Sequence, residues 1–129
     1  MVVIAIDPGG TTAIVIVRDD KRVLEAESLK DLEGVARHLN ELLRRYYSAV
    51  VVCEDFIGSG RRDANVINTL QIVGAVKAVC ALNDVRLVMQ QPYDRKAFLK
   101  EATLPTVHLN DAQAHALAFL ERTSRHGLT

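Results

Sequence analysis

An α/β domain built on one five-stranded mixed sheet, with helices on both faces, is predicted by three observations. Residues 1–28 hold three runs of strand-forming residues separated by turn residues. The run AVVVC at 49–53 is apolar throughout and too short and β-branched for a helix, as expected of a central parallel strand covered on both sides. After residue 30 the apolar spacing becomes helical wherever it is not a short run, so the order reads β-β-β-α-β-α-β-α.

The elements follow in order. Residues 1–6 form a β-branched run that ends at Asp7, and Pro8-Gly9-Gly10 makes a turn into a second run over 11–17. Asp19-Asp20-Lys21 is another turn, and 22–28 alternates polar and apolar residues, which completes an antiparallel meander. Leu32, Val35, Ala36, Leu39, Leu42 and Leu43 then fall at helical spacing, with Asp31 or a neighbour as N-cap and Arg44-Arg45 suited to the helix C-terminus. Beyond the AVVVC strand lies a Gly58-Ser59-Gly60-Arg61-Arg62 loop, then a helix over about 63–82. Residues 86–89 read as the fifth strand and 93–101 as a short helix. Pro105 marks the break before a final apolar helix opened by Asp111, with Asn110 and Gln113 expected as its N-cap and reciprocal partner.

All of this fits a single domain over 1–129. The chain is 49% hydrophobic but only 5% aromatic, so its core is aliphatic. Sixteen basic and sixteen acidic side chains cancel, which excludes a global positive field; nucleic-acid binding has to rest on local patches. Cys53 and Cys80 lie within apolar runs, as reduced buried thiols of a cytoplasmic protein do. The apolar start lacks a basic leader and is broken by Asp7 and Pro8, so no signal peptide and no membrane association are expected, and no segment is expected to reach bilayer-spanning length.

Asp7 closes one apolar strand, Glu54 closes the other, and Asp111 opens the last helix. Carboxylates gathered at strand ends repel one another unless a cation lies between them, and a pair of divalent ions is an economical solution. Two metals about 3.5–4 Å apart activate a water and stabilise a departing oxygen in phosphodiester cleavage. Each acid also has a plain reading: Asp7 as a turn residue, Glu54 and Asp55 as solvated strand-end charges, Asp111 as a favourable charge at a helix start. The set of three favours a site, and Asp55 is left as structural.

The stretch IAIDPGGTTAIVIV, the strand VVCED and the tail HLNDAQAHALA resemble, in order and spacing, the RuvC-like Holliday junction resolvases of the RNase H-like superfamily. The resemblance covers most of the chain, and its compactness is similar to that of bacteriophage-encoded members. It implies an RNase H-like fold and a metal-dependent, structure-selective endonuclease that cuts four-way DNA junctions by symmetric paired incisions in the bacterial cytoplasm. The implied metal and catalytic set is Asp7, Glu54, His108 and Asp111, holding two ions of Mg²⁺ or Mn²⁺. His108 takes a slot that is acidic in some resolvases and histidine in others, and its imidazole makes Mn²⁺ at least as suitable as Mg²⁺. His115, four residues after Asp111, is read as a donor behind the ligands, a proton shuttle or a core histidine.

Four basic residues between 86 and 100 (Arg86, Arg95, Lys96 and Lys100) face one acid, Asp94. On an α-helix Lys96 and Lys100 share a face. The resemblance singles out Lys96, because resolvases carry a lysine after the fifth strand. Arg61 and Arg62 are candidate phosphate contacts, and Phe56 is either a wedge at the junction centre, as an aromatic is in some family members, or plain core.

The 63–82 helix is apolar nearly all round apart from Lys77, so it has a second face to bury. Homodimerisation through it would present two identical sites to the two strands of a junction. Rival readings are a YqgF-like RNA-processing nuclease, a non-cleaving nucleic-acid binder, and an actin-like ATP-binding domain suggested by IDPGGTT.

Overall fold

A computed structural model describes residues 1–56 and 63–125. Strand β1 (Val2–Asp7) lies at the centre of a five-stranded sheet. It pairs antiparallel with β2 (Thr12–Arg18), which pairs antiparallel with β3 (Val23–Leu29). On its other side it runs parallel to β4 (Val50–Glu54), and β5 (Leu87–Gln90) extends the parallel half, giving the order β3-β2-β1-β4-β5. The mixed sheet and its strand count agree with the sequence expectation.

Period-two alternation divides the core in two. Ile4, Ile6, Ile14, Ile16, Val51 and Cys53 face helices α1 (Leu32–Arg45) and α2 (Ala64–Leu82). Val3, Ala5, Ala13, Val15, Val17 and Val52 face helix α3 (Val107–Arg125). Every side chain in both groups is essentially without exposure, so β1 and β4 are covered on both faces, as the unbroken apolar runs predict.

Helix α1 begins where expected: the Asp31 carboxylate accepts a hydrogen bond from Gly34 N at 2.5 Å, and Arg44 and Arg45 occupy the last turn. It buries Val35, Leu39, Leu42 and Leu43, whereas Leu32 stays exposed at its first turn. Helix α2 is likewise capped by Asp63, whose side chain accepts from Val66 N. Thr69, Ile72, Val73, Val76 and Cys80 are its buried residues, while Ile67 and Leu70 are each about half exposed. By length and composition α2 is apolar enough to cross a bilayer, which corrects the expectation that no segment approaches that length. Only a minority of its residues are buried, so most of its apolar surface lies outside the core.

Two local expectations are overturned. Residues Pro92–Glu101 form a 3₁₀ helix rather than an α-helix. At three residues per turn, positions four apart lie about 120° from alignment, so Lys96 and Lys100 do not share a face, although both are exposed. The final helix starts at Val107, one turn before Asp111, and the first turn holds no acid. The cause is Thr106, whose Oγ1 accepts a hydrogen bond from Leu109 N and so caps the helix earlier. Asn110 and Gln113 are not cap partners: Asn110 Oδ1 accepts from Leu104 N at 2.8 Å and Gln113 Oε1 from Thr103 N at 2.9 Å. Together they clamp the connection before α3 against the helix.

Ala112 and Ala116 lie fully buried on the α3 face that meets the sheet, and their small size sets how closely the helix sits. Ala116→Leu is expected to overpack this contact and lower stability by about 1–3 kcal/mol, read as a reduced urea midpoint at unchanged slope.

Candidate active site at the carboxyl end of the parallel strands

Strand parity delivers the site. Ile6 lies opposite Cys53, and Glu54 lies opposite Gln90, so Asp7, Glu54 and Gln90 end three adjacent parallel strands. Asp7 shares the parity of Val3 and Ala5, Glu54 that of Val52, and Gln90 that of Val88, all of which face α3. Helix α3 answers with His108, Asp111 and His115 at i, i+3 and i+7 spacing, on one face. Ligand sites of open α/β sheets lie in this position, outside the carboxyl ends of the strands.

Asp7, His108 and Asp111 each present a ligand atom within 4.8 Å of the others. His108 Nδ1 stands 3.2 Å from Asp7 Oδ2 on a ring that is about half exposed. Two carboxylates and an imidazole fit a divalent cation, with the nitrogen donor favouring Mn²⁺ among the hard ions. Beside Asp7 the turn is open: a Cβ built on Gly10 meets nothing within 4 Å.

Glu54 stands apart from that trio and is held by two other groups. His115 is fully buried, with Nε2 at 2.9 Å from Glu54 Oε1 and Nδ1 at 2.8 Å from Gln90 Oε1. A carboxylate only accepts, so His115 carries a proton on Nε2 and donates it to Glu54. Gln90 Nε2 is buried without a partner among the described residues. Exchanging the two ends of the Gln90 amide brings Nε2 to His115 Nδ1. His115 is therefore fully buried behind Glu54, in contact with its carboxylate.

Arg95 was passed over at the sequence level and proves central. Its guanidinium forms an ion pair with Glu54 through Nη1, which also donates to Pro92 O at 3.0 Å. Arg95 Nε lies 3.3 Å from Asp111 Oδ1 without the alignment of a hydrogen bond. The signal was present: a basic residue just past β5 is within reach of acids at the ends of β1 and β4, and charge balance demands a cation there. Strand β5 runs one residue past the expected 86–89, to Gln90.

The other basic residues divide. Arg86 stacks on the Phe119 ring, 5.7 Å from its centroid, and Arg95 is taken up by Glu54 and Asp111, whereas Lys96 and Lys100 are exposed. Phe56 is partly buried against the α1/α2-side core, and Asp55 N bonds to Gln90 O in the strand ladder. Arg61 and Arg62 lie outside the described residues.

The chain superposes over 99% of its length on the Thermus thermophilus RuvC in complex with Holliday junction substrate, covering 97% of that chain, with a TM-score of 0.82 at 22% identity. The fold is that of RuvC, within the RNase H-like class. A second Thermus thermophilus RuvC structure gives a TM-score of 0.81 at 21% identity, covering 99% of this chain and 98% of that one. The Fowlpox virus resolvase in complex with substrate Holliday junction DNA gives 0.64 at 13% identity, over 93% of this chain and 99% of that one. No family model matches the sequence, and no curated protein matches it. The RuvC-type fold is thus far better retained than the sequence that encodes it.

In this site the Asp7 carboxyl is pushed up to about 6, chiefly by burial and then by the negative charges of Glu54 and Asp111, against the opposing hydrogen bond of His108. The folded chain therefore holds the Asp7 proton more tightly than the unfolded chain does. Its contribution to stability is present in full below about 4 and is lost as pH rises through about 6, up to ~3 kcal/mol in all. Thermal melts in chelator are expected to show this decline for the wild type and its absence in Asp7→Asn, which melts higher than wild type at pH 7.

Proposed function

We propose that this chain is a Holliday junction resolvase: a metal-dependent endonuclease that cuts four-way DNA junctions by symmetric paired incisions. The observation that carries the reading is the convergence of Asp7, His108 and Asp111, with Glu54 alongside, at the carboxyl end of a RuvC-type sheet. The neighbours in fold include a RuvC and a viral resolvase, each in complex with Holliday junction DNA, which supports branched DNA as the substrate.

Asp7, His108 and Asp111 would hold one divalent ion, and Glu54 would join Asp7 in holding a second. When bound, such a pair supplies an activated water and stabilises the leaving oxygen. The protein's own part is positional. Asp7 is fixed by the central strand, and burial and the neighbouring acids raise its carboxyl to about 6, so it would offer its carboxylate to a divalent ion near neutral pH. His115 and Gln90 fix the Glu54 carboxylate from behind, and the half-exposed His108 ring stands on the open side. Lys96 and Lys100 are the exposed cations beside the site that would hold DNA phosphates, with Arg61, Arg62 and Phe56 as further contacts. Net charge of zero makes such local cations, rather than a global field, responsible for DNA affinity.

The working form would be a cytoplasmic homodimer joined through α2, without membrane association. Ile67 and Leu70 are half exposed on α2, and a Cβ added to Gly74 meets only open space, so that face accepts a close neighbour at no internal cost. A two-fold pair would offer one site to each of two strands of equal polarity.

Cleavage of a labelled immobile four-way junction with Mg²⁺ or Mn²⁺ tests the reading. Wild type is expected to cut symmetrically with either ion, while Asp7→Asn keeps junction binding and cuts roughly 10²–10⁴-fold more slowly. Binding without cutting by wild type would make the chain a pure binder, and preference for linear RNA would favour an RNA-processing role. In sedimentation, wild type is expected to run as a dimer and Leu70→Glu as a folded monomer.

A further inference from the structure

We propose that Arg95 is the resident second cation of the site in the DNA-free protein, engaging the Glu54 carboxylate so that a second divalent ion enters only when the guanidinium leaves. This inference rests on the metal-dependent nuclease reading and concerns how that site is loaded.

Three observations carry it. The trio able to hold an ion is Asp7, His108 and Asp111, and it excludes Glu54 although Glu54 ends the strand beside β1. Outside that trio, the Glu54 carboxylate is engaged by Arg95 and His115. The Arg95 side chain is three-quarters buried and reaches Asp111 as well, so one guanidinium holds Glu54, which a second ion would share with Asp7, and also touches an acid of the first ion's set.

Charge counting points the same way. Three carboxylates (Asp7, Glu54, Asp111) against one guanidinium leave two net negative charges, which a single divalent ion cancels. A second ion with Arg95 still in place would make the cluster net positive in a partly dry setting, which is costly. Removing Arg95, or supplying a phosphate for it to pair with, lowers that cost, leaving one net positive charge rather than two. The hold is also built to be broken. Arg95 Nε contacts Asp111 without hydrogen-bond alignment, and the residue stands on a 3₁₀ segment with looser bonding than an α-helix. Planar, five-donor arginine suits both partners in the exchange, since its fork matches carboxylate and phosphate alike.

The test counts Mn²⁺ bound to the DNA-free protein, from the paramagnetic resonance signal of free Mn²⁺ during titration, in wild type and Arg95→Gln. One ion per chain in wild type and two in Arg95→Gln is expected, the second bound at least tenfold more tightly than wild type binds any second ion. Arg95→Lys, which retains the charge, is expected to keep the count at one. Two ions in DNA-free wild type would overturn the proposal by themselves, whatever the folding of the variants, and so would a single ion in both wild type and Arg95→Gln. No Mn²⁺ in either protein would overturn the metal-dependent nuclease reading as well, which separates the two failures.

Discussion

Repulsion among carboxylates held at neighbouring strand ends is the constraint around which this end of the molecule is arranged. Adjacent strands run about 4.8 Å apart, so Asp7 and Glu54 have no means of separating without disturbing the ladder that joins Ile6 to Cys53. Burial makes that proximity matter: Asp7 is nearly inaccessible, and its carboxyl is raised accordingly. Everything near the acids answers their charge. His108 meets Asp7, His115 meets Glu54, and Arg95 meets Glu54 and Asp111.

The sheet and α3 divide the work of holding this arrangement. Strands β1, β4 and β5 supply rigid stems, and their parity alone aims Asp7, Glu54 and Gln90 to one side. Helix α3 is seated by Ala112 and Ala116 and held at its start by Thr106, Asn110 and Gln113. A helix that began at Asp111 would have lacked the turn that carries His108. The early cap is therefore part of the site, even though none of the capping residues reaches the carboxylates.

The same economy explains what lies away from the site. Cys53 has the parity of Ile6, points to the α1/α2 side, and has its thiol pushed up by burial and by the neighbouring acids, so it is an inert core residue one position from Glu54. Cys80, pushed up to about 11 by burial, is similarly inert. On the outer sheet edge, Glu25 on β3 takes both Arg45 and Tyr46, tying α1 to the edge strand. These contacts stabilise the half of the sheet that carries no chemistry.

The sequence by itself determined the strand and helix order, the two-sided burial of β1 and β4, and the acids at their ends. Those features are local: β-branched runs, helical spacing and capping residues act within a few positions of themselves. Asp31 and Asp63 capped their helices as such local rules require. Tertiary structure alone decided which donors meet. Arg95 and Glu54 are forty-one positions apart, and His115 and Gln90 are twenty-five, distances over which no periodicity carries information. It also decided the 3₁₀ form of Pro92–Glu101 and the early start of α3, because both depend on what the intervening connection packs against. Charge balance is set by positions in space, and a chain read along its length shows which charges exist without showing which of them neutralise one another.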